Sequence, residues 1–124
     1  MAKRLNETVE TAVPDGLFVD NIPVADVVAV KLTASKGVVK RGTVLTGTPG
    51  GADFEALAAA ADAAKALFVL ADDVDTANET VGFAYRTGHF NRGALIVGSE
   101  YALTAADEEL LRKSGILISE ALPY

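Results

Sequence analysis

The sequence has no cysteine, no tryptophan and one histidine, and aromatic residues make up only 6 % of its 124 positions. Without cysteine there are no disulfides, thiol nucleophiles, iron–sulfur clusters or cysteine-bound zinc, and one histidine excludes a histidine-rich metal site. No apolar run is long enough to cross a bilayer, and the basic start lacks the apolar segment of a secretory signal. We therefore expect a protein that stays in the cytoplasm after synthesis, has no membrane partner and needs no cofactor.

Positive charge is also scarce, with eleven Lys and Arg against seventeen Asp and Glu and a net charge of −6. Binding to a phosphate backbone depends on Lys and Arg, so no nucleic-acid partner is expected. Half of the residues are apolar, which is too many for a disordered chain. We predict a flexible N-terminal arm over residues 1–16, ending at Pro14-Asp15-Gly16, and a single domain over residues 17–124.

What the sequence does contain is a series of short β-branched or apolar runs separated by glycine turns. These runs predict strands at 17–19, 27–32, 43–46, 67–71, 81–86, 94–97 and 116–118. The run at 81–86 alternates, with Val81, Phe83 and Tyr85 on one side, and Thr87-Gly88 is expected to break it. The spacing is typical of a small β-barrel or sandwich. The predicted fold class is mainly β with one C-terminal α-helix, α+β overall.

The C-terminal helix has clear boundary signals. Thr104 is expected to be its N-cap with Asp107 completing a capping box, and Gly115 suits the C′ position. Acidic residues near its start and basic residues near its end suit the helix dipole. Its buried stripe is predicted to consist of Leu103, Ala106 and Leu110, with Leu111 beside them.

The alanine-rich segment at 53–66 is compatible with two structures. Alanine is the best helix former, so propensity predicts a helix from 53 to about 66. Against this, the segment has few charges for an exposed helix face, and residues 54–57 fit a short strand equally well.

His89 is the single imidazole and therefore the first candidate for acid–base chemistry. In a catalytic interpretation it is a general base, oriented by an aspartate of the 72–75 run. In a structural interpretation it is a surface or edge histidine that packs on a neighbour. No nucleophile motif accompanies His89, and the structural interpretation is preferred.

We interpret three other patterns as structural. The acidic run at 72–75 lacks the central glycine of a calcium loop and is predicted to be a solvated turn. The glycine-rich loop at 47–51 is followed by Ala52-Asp53 instead of the Lys-Ser/Thr of a phosphate loop. Lys40-Arg41 is too small for a nucleic-acid footprint and is expected at a solvated hairpin edge.

A small β domain with few catalytic groups often acts by contact. Exposed apolar residues near termini and loops are the candidates, namely Leu17, Phe18, Phe90 and Tyr124. For each of them the alternative is ordinary core packing.

Four segments, taken in order, resemble the head decoration proteins of tailed phages, the family that includes the lambda head decoration protein. They are residues 27–30 with 39–45, then 66–75, 85–91 and 111–118, and together they extend over about residues 17–120. No single segment is specific, and their order and spacing carry the resemblance. The chain departs from the lambda protein in its alanine-rich run and in its N-terminal arm.

The resemblance implies a mostly β, non-enzymatic protein that forms homotrimers on the exterior of an expanded capsid. There it would clamp the major capsid protein against the pressure of packaged DNA, so its final location would be the virion. In this family the N-terminal segment often orders against the shell, which would give residues 1–16 a role. The resemblance also favours strand or loop at 54–57. The capsid or trimer contacts expected on this basis are Leu5, Val9, Val13, Leu17, Phe18, Phe90, Asn91 and Tyr124.

Two other functions are kept as alternatives. One is a non-enzymatic phage adaptor or fibre-base module with another partner. The other is a small hydrolase that uses His89 with a nearby aspartate.

Overall fold

A computed structural model describes residues 16–20, 24–62, 64–98 and 100–120. These residues form mainly β-structure with one helix near the C-terminus, which confirms the predicted α+β class. The strands are β1 (Phe18–Asp20), β2 (Asp26–Lys31), β3 (Val38–Val39), β4 (Val44–Gly47), β5 (Glu55–Ala56), β6 (Ala66–Leu70), β7 (Val74–Asp75), β8 (Val81–Asn91) and β9 (Ile116–Ser119). A short 3-10 turn spans Arg92–Ala94, and α1 spans Ala105–Ser114. In the described part of the chain, no helix is long and apolar enough to cross a membrane.

The long strand β8 organises the larger sheet. Strands β2 and β6 both pair with Ala84 and Tyr85, so they lie on opposite edges of β8. Strands β1 and β9 both pair with His89 and Phe90, and they also lie on opposite edges. From β6 the seven-stranded sheet continues to β4 and ends at β5, while β3 and β7 form a separate pair. The described strands do not close on themselves, so the barrel form of the prediction is wrong.

The sheet is buried on both faces where β4 meets β6. Alternate residues point to opposite faces of a strand, and here each face has its own core cluster. Val44 and Val69 pack with the residues around α1, β9 and the end of β8, whereas Leu45 and Leu70 pack with β2 and Phe54. All four of these β4 and β6 side chains are fully buried.

The helix α1 begins and ends where the sequence predicts. The Thr104 hydroxyl accepts the Asp107 N–H, the Asp107 side chain accepts the Thr104 N–H, and Gly115 has a left-handed φ of 105°. The predicted stripe is partly wrong, because Ala106 is exposed and Asp107 and Leu111 are the buried positions. The inward face therefore follows an i, i+4, i+8 spacing from Leu103.

The alanine-rich segment is extended where it joins the sheet. Of the two alternatives, the short strand within 54–57 is confirmed at Glu55–Ala56, and the helix at 53–66 is wrong. Phe54 bridges Leu32, β5 pairs with β4, and the Leu57 N–H donates to the Val44 carbonyl at 2.8 Å. Phe54 and Leu57 lie in different core clusters. Each buried side chain contributes about 2 kcal/mol, which outweighs the few tenths of a kcal/mol per residue that alanine gains in a helix.

Two further strand predictions are wrong. Strand β8 continues through Thr87-Gly88, because Gly88 adopts a φ of 151° that keeps the chain extended. The predicted strand at 94–97 is replaced by the end of the 3-10 turn and an isolated bridge between Ile96 and Thr43.

Candidate functional site

The predicted contact residues divide into three groups. Leu17 and Phe90 are 1 % and 0 % exposed and belong to the core, so for them the core-packing alternative holds and the exposed-contact interpretation is wrong. Phe18 is half-buried, with its ring 4.8 Å from that of Phe90. The half-buried Asn91 accepts the Gly93 N–H and so caps the 3-10 turn. The remaining predicted contacts lie outside the described residues and are Leu5, Val9, Val13 and Tyr124.

Four exposed apolar residues of the larger sheet form a group we call the apolar strip: Val27 and Ala29 of β2 with Val81 and Phe83 of β8. Ala29 lies directly opposite Phe83, and the valines flank this pair along the two strands. Val27, Val81 and Phe83 are 48 %, 49 % and 52 % exposed. Contiguous exposed side chains of this kind mark interaction surfaces more often than scattered ones.

The strip is the outer face of a two-stranded ribbon whose inner face is core. Val30 and Ala84, which alternate with the strip residues, are buried in the cluster around Phe54. Lys31 stands opposite Val81 at one end of the strip. At the other end, Asp26 and Arg86 form an ion pair. The strip is therefore held on a rigid support and has charged residues at both ends.

Half of this strip was predictable from the sequence, but its exposure was not. Alternation placed Val81, Phe83 and Tyr85 on one side of their strand, as the structure has them. A period of two does not say which side faces solvent, and that depends on the partner strand β2.

His89 lies in a chain of hydrogen bonds across three adjacent strands. Its Nδ1 is 2.9 Å from an Asp20 carboxylate oxygen on β1, and its Nε2 is 2.7 Å from the Ser119 hydroxyl on β9. The histidine side chain is 20 % exposed and that of Asp20 is 48 % exposed. The predicted aspartate partner from 72–75 is wrong, because Asp73 instead accepts the Arg41 N–H and Asp75 accepts the Ala77 N–H.

The two hydrogen bonds favour one protonation pattern of His89. A carboxylate only accepts, so Nδ1 carries a proton and donates the hydrogen bond to Asp20. In the neutral ring Nε2 is then an acceptor, and the Ser119 hydroxyl donates to it. Neither partner was predictable from the sequence, because they lie 69 and 30 residues away from His89 in the chain.

A surface depression of about 390 Å³ borders His89. It is lined by His89, Ala105, Glu108, Glu109, Arg112, Leu117 and Ile118. Two ion pairs involve its helical wall, one between Arg92 and Glu108 and one between Arg112 and Glu109. Hydrogen bonds from these guanidinium groups lower the pKa of Glu108 and of Glu109, so both stay ionised at neutral pH.

The other sequence patterns have structural roles. In the glycine-rich loop, the Thr48 N–H and hydroxyl both donate to the Asp53 carboxylate at 2.8 Å and lower its pKa. Arg41 was expected at a solvated edge, which is wrong: its guanidinium donates to the Ala71 carbonyl and the Tyr85 hydroxyl and lies over the tyrosine ring. Across the described residues, no cluster of three or more His, Cys, Asp or Glu could hold a metal ion.

No protein-family model and no curated protein matches this chain.

Proposed function

We propose that this protein is a structural component of a tailed-phage head. It binds the exterior of the expanded capsid as a homotrimer and holds neighbouring copies of the major capsid protein together against the pressure of packaged DNA. The observation that carries the proposal is the apolar strip of Val27, Ala29, Val81 and Phe83. The ordered segments that resemble phage head decoration proteins indicate what kind of partner such a strip would meet.

The strip suits permanent attachment through many small contacts. At about 25 cal/mol per Å², covering four partly exposed apolar side chains contributes only a few kcal/mol, which alone gives weak binding. A trimer that contacts several capsid subunits at once raises the effective concentration of each further contact. Modest strips on three copies can therefore add up to an attachment that rarely dissociates.

The rigidity of the ribbon that carries the strip also favours binding. The inner side of the same ribbon is fixed in the core through Val30 and Ala84, so little conformational entropy is lost when the outer side is covered. The Asp26–Arg86 ion pair and Lys31 give the strip polar ends, an arrangement common at protein interfaces.

The proposal changes the set of contact residues expected from the sequence. Leu17 and Phe90 support the sheet from inside and offer no surface to a partner. Phe18 and Asn91 stay proposed contacts at the other end of β8. The segment containing Leu5, Val9 and Val13, together with Tyr124, also stays a proposed contact.

Co-sedimentation tests the proposal. Purified protein is mixed with expanded and with unexpanded capsids that lack it, and the pellets are compared. We expect binding to expanded capsids, and equilibrium sedimentation of the free protein measures its self-association. Failure to pellet with either kind of capsid contradicts the proposal.

A pair of variants tests the role of the strip. Phe83→Ser removes the largest strip residue and should weaken capsid binding at least tenfold. Val38→Ser is the matched control, because Val38 is 53 % exposed but belongs to the separate β3–β7 pair. Equal binding by both variants would remove the strip from the interface.

A further inference from the structure

We propose that Ser119 is an activated nucleophile with His89 as its general base, and that this site accepts the acyl group of a small ester. Asp20 is the positioning residue that holds the histidine. The activity is independent of capsid binding through the apolar strip, since none of the three residues belongs to the strip.

The connectivity is that of an acyl-transfer site. The Ser119 Oγ is 2.7 Å from Nε2 of His89, within the range for proton transfer. The other ring nitrogen is 2.9 Å from Asp20, which fixes the tautomer that can accept the serine proton. A serine, a base in contact with it and a third group that orients the base are the general signature of an activated nucleophile.

The sheet holds the three groups in place. Asp20 lies directly opposite His89 in the β1–β8 pair, and Leu117 lies opposite it in the β8–β9 pair, with Ser119 two residues further on. Phe90, the next residue of β8, is fully buried and paired with Ile118 of β9. The strands that carry the site are therefore fixed by core packing, which limits misalignment of the reacting atoms.

The neighbouring depression is lined by His89 and Leu117, and Ser119 follows Leu117 by two residues on β9. Its volume of about 390 Å³ lies at the small end of the range for ligand sites. Leu117 and Ala105 offer apolar contact, while Arg112 and the two glutamates make the helical wall polar. A short apolar acyl group on a small alcohol fits this combination.

The reaction balances with an ester and water. The Ser119 hydroxyl proton passes to Nε2 of His89 as Oγ attacks the carbonyl carbon of the ester. The bond to the alcohol oxygen then breaks, and the alcohol leaves with the proton from His89. Water, deprotonated in turn by His89, attacks the acyl-serine, which releases the carboxylic acid and restores the serine hydroxyl. Asp20 stays ionised throughout and stabilises the imidazolium.

The test uses the full chain with p-nitrophenyl acetate, and p-nitrophenolate release and the mass of the intact protein are followed. Peptide mapping locates the acetyl group. We expect it on Ser119, with a rate that falls about 100-fold in His89→Gln. Ser114→Ala is the matched control, because Ser114 is exposed and donates only to the Leu110 carbonyl of its own helix.

Three results distinguish this site from a purely structural cluster. Asp20→Asn should slow acetylation, and Asp20→Glu should restore part of the rate. If Asp20 had only a structural role, the two variants would be acetylated at the same rate when their folded fractions are equal. Acetylation of Ser114 and Ser119 at equal rates overturns the proposal. So does an unlabelled Ser119 in the wild-type protein, a result that needs no variant to fold.

Discussion

Asp107, in the first turn of α1, accepts a hydrogen bond from the backbone N–H of Ala61 at 2.8 Å, across 46 residues of chain. The same carboxylate accepts from the Thr104 N–H and from the Tyr101 hydroxyl. With 1 % of its surface exposed, Asp107 is a buried charge with one distant partner, Ala61, and two partners just before its own helix. It joins the helix to the alanine-rich segment, whose described residues are not helical.

Removing this carboxylate should destabilise the whole domain. In Asp107→Asn, an amide group replaces one of the two accepting oxygens and faces a donor, so at least one hydrogen bond to a charged group is lost. We expect the free energy of unfolding to fall by about 2–3 kcal/mol, measured by urea denaturation. Lys113→Gln is the control on the exposed face of the same helix and should change it by less than about 0.5 kcal/mol. A loss of similar size in both variants would contradict this role.

The same group predicts how stability depends on acid. Burial alone would raise the pKa of Asp107, but hydrogen bonds from Ala61, Tyr101 and Thr104 outweigh it and hold the pKa below the ordinary 3.8. The folded state therefore holds the proton less tightly than the unfolded chain. Its contribution to stability is complete above the unfolded pKa and is lost as pH falls through the folded pKa. The urea concentration at the unfolding midpoint should therefore decrease as the pH is lowered below about 4.

Asp107→Asn provides the comparison for this pH dependence. Its urea midpoint should decrease less steeply with falling pH over the same range. Some pH dependence should remain, because the pKa values of Glu108 and Glu109 are also lowered in the folded state. Identical slopes in wild type and variant would show that Asp107 does not contribute.

Gly88 should not tolerate a side chain. An added Cβ would lie 2.9 Å from the Phe90 ring and 3.2 Å from Phe18, at a φ that alanine rarely adopts. Gly88→Ala should lower the free energy of unfolding by about 3 kcal/mol. Gly93→Ala, whose Cβ would meet only an Asn91 oxygen at 3.7 Å, should change it by less than about 1 kcal/mol. Thermal melts followed by circular dichroism compare the two, and a Gly88→Ala protein as stable as wild type would refute the packing argument.

Truncation of two phenylalanines of β8 should affect different properties, namely stability for Phe90 and capsid binding for Phe83. Phe90 is 0 % exposed in the core, so Phe90→Ala should cost about 3–5 kcal/mol of stability. Phe83 is 52 % exposed on the apolar strip, and Phe83→Ala should cost less than about 1 kcal/mol while weakening capsid binding. Chemical denaturation and co-sedimentation of both variants separate stability from binding. A larger stability loss for Phe83 would reverse this assignment of the two faces.

Features set by neighbouring residues were predictable from the sequence. The ends of α1 are local, because Thr104, Asp107 and Gly115 act within one or two turns of the backbone they cap. Features set by distant partners were not. The sequence left helix and strand open for the alanine-rich segment, because the choice depends on Leu32 and Val44, whose pairing outweighs the helix propensity of alanine.

The candidate site shows the same division. His89 was identified as the one imidazole, but Asp20 and Ser119 reach it only because β1 and β9 lie on opposite edges of β8. Neither partner stands in a motif that a linear reading could detect. The exposure of Phe83 likewise depends on which face of β8 the core covers.

The central position of β8 affects how the protein folds during its synthesis. Strands β1 and β2 leave the ribosome long before the residues of β8 with which they pair, and β9 follows only afterwards. Pairing between segments that are distant in the chain is slow. Until β8 has been synthesised, the apolar side chains of β1 and β2 stay exposed to solvent. Premature termination before β8 should therefore yield fragments that aggregate instead of partly folded domains.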